Sequence, residues 1–272
     1  MTYREICDAF RRVGIETPEW DAQLLAERFC HTDRLSLLSD PNRDLHAPLL
    51  EDAVRRRCAR EPLQYLLGEW EFYRQRYEIS PDCLIPRADT EILVEEAVKR
   101  LPKGAFFADL CTGSGCIAVS VLAERPDTRA LAVELSPRAL ELAERNARRN
   151  GVSERFSPLQ ADVLHFSSHL HPRPHAILSN PPYIRSEIVP TLAPEVLKEP
   201  RMALDGGEDG LIFYRALVKL AREWLDDGGF CLFEIGFDQG DAITELAARE
   251  GFSCTLRRDY GGCDRVAILD IK

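Results

Sequence analysis

The stretch from Ala105 to Gly115 constrains this chain most. An apolar run, Ala105–Leu110, ends in Asp109-Leu110-Cys111-Thr112-Gly113-Ser114-Gly115 and passes directly into a helix-forming segment, Gly115–Ala123. Glycines at such a turn let the backbone bend tightly and approach a ligand, and the first helical turn exposes N–H groups with no partner inside the helix. A strand that leads through this turn into a helix is half of a crossover unit and calls for a second strand parallel to the first.

The alternation continues along the chain. Strand Ala130–Glu134 precedes helix Pro137–Asn150, which Ser136 caps and Gly151 closes. Strands Phe156–Ala161 and Ala176–Ser179, helix Leu211–Trp224, strand Phe230–Ile235 and helix Gln239–Glu250 follow. Cys254–Leu256 and Val266–Leu269 flank Tyr260-Gly261-Gly262 and read as a hairpin. The expected fold class is α/β, a Rossmann-like doubly wound sheet covered by helices on both faces. The closing hairpin is expected to place one antiparallel strand at the sheet edge.

Residues 1–72 carry helical signals and no strand pattern before Trp70. Thr2 and Glu5 form a capping box ahead of Tyr3, Ile6, Cys7, Phe10 and Val13, and Gly14 is a natural stop. Thr17-Pro18 reads as an N-cap followed by proline, with Trp20, Leu24, Leu25 and Phe29 expected to share one face. Leu49–Cys58 gives another helix, with Arg55, Arg56 and Arg57 on its exposed side. These residues predict a small all-α domain. Residues 73–87, polar and proline-bearing, read as a hairpin linker; residues 88–272 form the α/β domain, its first helix capped by Asp89 and running to Leu101.

The ends of the strands carry the chemistry. Glu134 lies 25 positions after Asp109 and ends the second strand, where a carboxylate can accept hydrogen bonds from a ribose diol. Asp162, at the end of the third, suits an adenine amino group. Gly113, Gly115 and Ala118 also match the spacing of dinucleotide sites, so glycine spacing does not discriminate. Asp109 does: a carboxylate there suits the ammonium of S-adenosylmethionine better than a pyrophosphate. The fourth strand ends in Asn180-Pro181-Pro182-Tyr183. Two prolines remove two N–H donors and leave carbonyls, with the Asn180 side-chain oxygen, as acceptors. Such acceptors would hold the two hydrogens of an amide or aromatic amino group and stabilise positive charge growing on its nitrogen. Tyr183 offers a flat surface for stacking. Methyl transfer by in-line displacement needs no metal and no strong base.

The alternatives are narrowed by charge and by cysteine usage. Lys plus Arg number 35 against 45 for Asp plus Glu, a net charge of −10. Such a chain lacks the broad positive field behind non-specific nucleic-acid binding, which disfavours a DNA or RNA adenine methyltransferase. The intact Asn180–Tyr183 motif argues against a non-catalytic binding module. The first residues run into an amphipathic pattern without the apolar core of a signal peptide, and no apolar stretch reaches the roughly 20 residues a membrane span requires. Nine cysteines, an odd number with no C-x-x-C pair, point to a reducing, cytoplasmic compartment. His165, His169, His171 and His175 lie in a proline-containing connection without metal-ligand spacing.

These motifs resemble those of the release-factor glutamine methyltransferases, the PrmC/HemK family, over nearly the whole chain. Besides the glycine loop and Ser179-Asn180-Pro181-Pro182-Tyr183-Ile184, the resemblance rests on several flanking segments. They are Arg60-Glu61-Pro62-Leu63-Gln64-Tyr65, Gly68-Glu69-Trp70-Glu71-Phe72, Leu84-Ile85-Pro86-Arg87, Glu199-Pro200 and Ala203–Gly210. It implies a class I methyltransferase domain behind a helical substrate-recognition domain, acting as a monomer. The implied reaction methylates the glutamine side-chain amide of a Gly-Gly-Gln motif in peptide chain release factors, with S-adenosylhomocysteine as product. Cofactor contacts would come from Asp109, Cys111, Thr112, Gly113, Ser114, Gly115, Glu134, Asp162 and Asn180. Substrate contacts would come from Asn180, Pro181, Pro182 and Tyr183, with Asn180, Pro181 and Tyr183 catalytic. Cys111 stands where that family often has glycine, and Glu134 where it often has aspartate. Arg87 is a further candidate at the substrate entrance, and Glu199, just before Pro200, is a candidate for positioning the loop.

Overall fold

A computed structural model describes residues Met1–Ile271 and contains two compact units. The first comprises residues 1–69 together with 192–198; the second comprises residues 70–191 and those from 199 onward.

The first unit is built of five helices: α1 (Tyr3–Arg12), α2 (Pro18–Cys30), α3 (Arg34–Ser39), α4 (Pro48–Cys58) and α5 (Leu63–Leu67). The Thr2–Glu5 capping box forms, with Glu5 N–H donating to Thr2 Oγ1 at 3.2 Å and Thr2 N–H to Glu5 Oε2 at 2.8 Å. α1 buries Tyr3, Ile6, Cys7 and Phe10, and Gly14 turns the chain at φ +73°. At α2 the structure departs from expectation. Thr17 does hold the N-cap position ahead of Pro18, but its side chain accepts no helix N–H; its hydroxyl donates to Asp21 Oδ1 instead, at 2.8 Å. Trp20 is 50% exposed, because the inward face holds Pro18, Asp21, Ala22, Leu25 and Ala26. Asp21 is 2% exposed, and its burial is possible because Arg57, 6% exposed, donates to Oδ2 at 2.7 Å. Arg57 therefore belongs to the interior rather than to the solvent face, and it also donates to Glu195 Oε1 at 2.9 Å. Arg60 donates to the other Glu195 oxygen at 2.8 Å.

The second unit opens with a hairpin, β1 (Glu69–Phe72) and β2 (Gln75–Glu78), turning through Tyr73 and Arg74, both at positive φ. It starts ahead of the proline-bearing passage. Tyr77 is fully buried, and its hydroxyl shares a 2.6 Å hydrogen bond with Ser120. Then come α6 (Glu91–Arg100), β3 (Phe106–Leu110), α7 (Cys116–Glu124), β4 (Arg129–Glu134), α8 (Pro137–Arg149), β5 (Phe156–Gln160), β6 (Ala176–Ser179), α9 (Ile212–Trp224), β7 (Phe230–Glu234), α10 (Gly240–Arg249), β8 (Phe252–Arg258) and β9 (Asp264–Ile271). Asp89 is not the cap of α6. It lies inside a 3-10 turn, Ala88–Thr90, that feeds the helix.

Strands β3 to β9 form a seven-stranded sheet in the order β5-β4-β3-β6-β7-β9-β8, parallel except for β9. The antiparallel strand is thus second from the edge, and β8 occupies the edge. β9 is the more apolar of the pair, with Val266, Ala267 and Leu269 fully buried, so the inner position removes more apolar surface from water. Strand order reverses direction between β3 and β6, and this switch point is where an open α/β sheet leaves a crevice beyond its carboxyl ends. Among the described residues no helix is long and apolar enough to cross a membrane.

Candidate active site

The crevice is a cavity of about 280 Å³ above the carboxyl ends of β3, β4 and β6. Its floor is the glycine loop. Cys111, Gly113 and Gly115 all take left-handed backbone, at φ +59°, +55° and +79°. Gly115 also lies so close to α8 that a Cβ would approach the Ala143 Cβ to 3.1 Å. Glu134 fastens the loop: one carboxylate oxygen accepts Gly113 N–H at 2.9 Å, the other Ser136 N–H at 3.0 Å. Asp162 contributes a second carboxylate at the wall, and its Oδ1 accepts Leu164 N–H at 2.9 Å.

Asp109 lies behind this floor. It is fully buried, and its Oδ2 accepts the Thr112 hydroxyl and, at 3.1 Å, Ala118 N–H in the first turn of α7. Its Oδ1 has no partner among the described residues. Burial raises the carboxyl to about 7, against the pull of those two hydrogen bonds. Asp109 thus organises the loop and the helix N-terminus from beneath.

Asn180 stands at the end of β6 and lines the cavity, its amide Nδ2 donating to Thr90 Oγ1 at 3.4 Å. The backbone that follows is held by a second strip of chain. Ile184 N–H donates to Leu204 O at 2.9 Å, and Gly206 N–H donates to Ile184 O at 2.8 Å. The strips approach so closely that a Cβ on Gly206 would sit 2.7 Å from Tyr183 Cα. On the other side Gln239 Nε2 donates to Tyr183 O and to Gly210 O, each at 3.1 Å. Tyr183 leans on the core of the sheet rather than on the cavity, and burial pushes its hydroxyl up to about 12.

Of the residues expected from sequence, Cys111, Thr112, Gly113, Ser114, Glu134, Asp162, Asn180 and Pro182 line the cavity. Asp109, Gly115, Pro181 and Tyr183 are set back from its wall. Arg87 does line it, paired with the buried Glu199, whose other oxygen accepts Ile85 N–H at 2.9 Å. Burial raises the Glu199 carboxyl while the Arg87 charge opposes that. Sequence reasoning missed Thr90, Met202 and Phe213 at the wall and Glu234 and Gln239 behind it. Only the glycines at 206, 207 and 210 signalled the close packing of the second strip. His171 stacks on Phe166 and His175 meets Asp226, so both histidines have local packing roles.

Residues 2–68 match the family described as the PrmC N-terminal domain, and residues 88–229 match the Methyltransferase small domain. The chain is 39% identical to a release factor glutamine methyltransferase of Geobacter sulfurreducens, over 97% of this chain and 95% of that one. A release factor glutamine methyltransferase of Moorella thermoacetica is 40% identical, with 97% of each chain covered. Among solved structures, a methyltransferase from Pyrococcus furiosus is similar with a TM-score of 0.54 and 18% identity, covering 71% of this chain and 87% of that one. That last similarity speaks for the fold.

Proposed function

The chain belongs to the release factor glutamine methyltransferases, and from that premise we propose that it moves a methyl group from S-adenosylmethionine to the side-chain amide nitrogen of the glutamine in a Gly-Gly-Gln motif of a peptide chain release factor. The observation that carries this reading is that Asn180 and the glycine loop open onto one cavity at the switch point of the sheet. The wall suits an adenosyl sulfonium. Glu134 and Asp162 are acceptors for a ribose diol and an adenine amino group, and Ile117, Val133, Leu135 and Val163 are apolar surface for the base. Asp109 Oδ1, buried with no partner among the described residues, leaves an unsatisfied acceptor beneath the loop, which suits a cationic ligand above it. When bound, S-adenosylmethionine supplies the electrophilic methyl group.

The remaining work falls to the chain itself. An amide nitrogen is a poor nucleophile because its lone pair is delocalised. Asn180 Oδ1 and the carbonyls of the proline pair would accept its two hydrogens and orient the lone pair toward the methyl carbon. The same acceptors stabilise the positive charge that develops on nitrogen, which sheds a proton after attack and needs no strong base. The helical unit serves to recognise the factor, and the enzyme works as a cytosolic monomer. The test is methyl transfer from labelled S-adenosylmethionine to a purified release factor and to a copy with its motif glutamine replaced. Label on the normal factor alone is the expected result. Label on duplex DNA or RNA, and on neither factor, would overturn the reading in favour of an adenine methyltransferase.

A further inference from the structure

The two loops that frame the cavity are irregular backbone, which has no helix or sheet ladder to satisfy its buried carbonyls. Each is held by one buried side-chain amide set back from the cavity wall. These are Asn146 on α8, fully buried, and Gln239, 7% exposed, at the N-terminal end of α10.

Asn146 serves the glycine loop. Its Nδ2 donates to Ser114 O at 2.9 Å and to Glu78 O at 3.1 Å, while its Oδ1 accepts Glu78 N–H at 2.7 Å. Ser114 lines the cavity, so this amide ties a wall residue of the loop to α8 and to the end of β2. Gln239 serves the loop that carries Asn180. Its Nε2 hydrogens go to Tyr183 O and Gly210 O, and its Oε1 accepts Gly236 N–H at 2.8 Å. Two bare positions make room for it: a Cβ on Gly210 would lie 2.8 Å from Gln239 Nε2, and one on Gly236 would lie 3.0 Å from Gln239 Oε1.

A side-chain amide has two hydrogens to give and an oxygen to accept with, and both residues have all of these engaged. Each therefore joins its own helix to two other stretches of chain, and the two sets of hydrogen bonds share no residue. We propose that Asn146 and Gln239 are positioning residues with separate duties. Asn146 fixes the loop that grips S-adenosylmethionine, and Gln239 fixes the loop that aims the substrate amide at its methyl group. Loss of the first costs cofactor affinity; loss of the second costs rate. This inference rests on the function proposed above.

A merely structural role would give no such split, since either substitution would lower Tm and leave the folded molecules equally active. Asn146→Leu and Gln239→Met keep a similar shape and remove the polar atoms. Asn146→Asp and Gln239→Glu, when ionised, keep the acceptor and lose both donors. Both Asn146 variants of the full chain should raise the calorimetric Kd for S-adenosylmethionine by about 10-fold, the scale of one hydrogen bond lost to a buried carbonyl, with kcat at saturating cofactor little changed. Both Gln239 variants should lower kcat by about 100-fold, the scale of a misplacement of roughly 1 Å, with that Kd little changed.

Backbone amide signals in a nitrogen-15 spectrum give a readout that needs no turnover. Asn146→Leu should move those of Gly113, Ser114 and Gly115 and spare Tyr183 and Ile184; Gln239→Met should do the reverse. Kd and kcat falling off together in either variant, or neither moving, would overturn the proposal. Hydrogen exchange in the unaltered chain covers a variant that does not fold. Both side-chain amide hydrogens of each residue should exchange far more slowly than those of an exposed amide, and exposed-amide rates at either residue would overturn the proposal. If the wild type methylates no release factor, the function falls, while the cofactor Kd and the loop signals still decide the division of duties.

Discussion

At position 180 an aspartate would match asparagine in shape and differ in charge and donors. It would lose the N–H that meets Thr90 and place a negative group where two neutral acceptors are wanted. Asn180→Asp should lower kcat by about 10²- to 10³-fold, the scale seen when one such transition-state contact is lost, while the Kd for S-adenosylmethionine changes little. Calorimetry beside single-turnover kinetics would separate the two, and equal turnover would remove Asn180 from the mechanism. Asp109 makes a different prediction, about stability. Its carboxyl is raised from 3.8 to about 7, so between those values the folded protein holds a proton that the unfolded chain has released. The stabilisation linked to that proton is fully present below about pH 4 and is lost as pH rises through about 7. Asp109→Asn lacks this titration. The urea midpoint of the wild type should therefore fall relative to the variant between about pH 4 and 7, and a constant gap would refute the assignment.

At the scale of elements, the Asn180–Tyr183 loop is kept in place by a neighbouring strip that works only without side chains. Gly206→Ala would drive a Cβ into Tyr183 Cα, Pro182 O and Tyr183 C, all within 3 Å. Backbone cannot yield as a flexible side chain can, so the loop must shift. A displacement of about 1 Å costs on the order of 10²-fold in rate, and kcat should fall by that amount with the rest of the fold intact by circular dichroism. In the helical unit, Arg57→Ala should destabilise by about 3–5 kcal/mol in urea unfolding, because Asp21 would be left buried and unpaired. Replacing Asp21 and Arg57 together by Leu and Met should recover much of that loss. The periodicity of α1, α8, α9 and α10 made these helices legible to within a residue or two, since each has one packed and one wet face; α7, buried nearly all round, was legible from the glycine loop ahead of it. The Thr17 side chain and Asp89 misled because a capping residue type says only where a cap can form. Whether the side chain is captured by another partner, as Asp21 captures Thr17, is decided by tertiary neighbours.

On the scale of the whole molecule, the same limit applies to pairing across long separations. The parallel strands β3 to β7 could be read from their apolar runs and the helices between them, but nothing local states that β9 slips between β7 and β8. The cavity floor was legible because glycines and strand-end acids carry their own signature. Thr90 was not: it looks like an ordinary helix start, and its meeting with Asn180 is a product of the sheet. The net charge of −10 carries a further prediction. At physiological salt, duplex DNA should bind more weakly than the roughly 10⁻⁴–10⁻⁶ M typical of non-specific DNA-binding proteins, as fluorescence anisotropy would measure. Tighter binding would reopen the nucleic-acid reading.

The order in which the chain is made adds a last consequence. Arg57 and Arg60 take their shared carboxylate from Glu195, so the helical unit is not completed by its own first 69 residues. A ribosome that has just finished residue 69 must add 126 more before Glu195 exists (195 − 69 = 126), which takes roughly 6 to 25 s at ordinary elongation rates. Throughout that interval Arg57 has Asp21 and the backbone carbonyl of Glu61, and Arg60 has only the backbone carbonyls of Val13 and Gly14. The first domain to emerge is the one that must wait for a residue translated long after it.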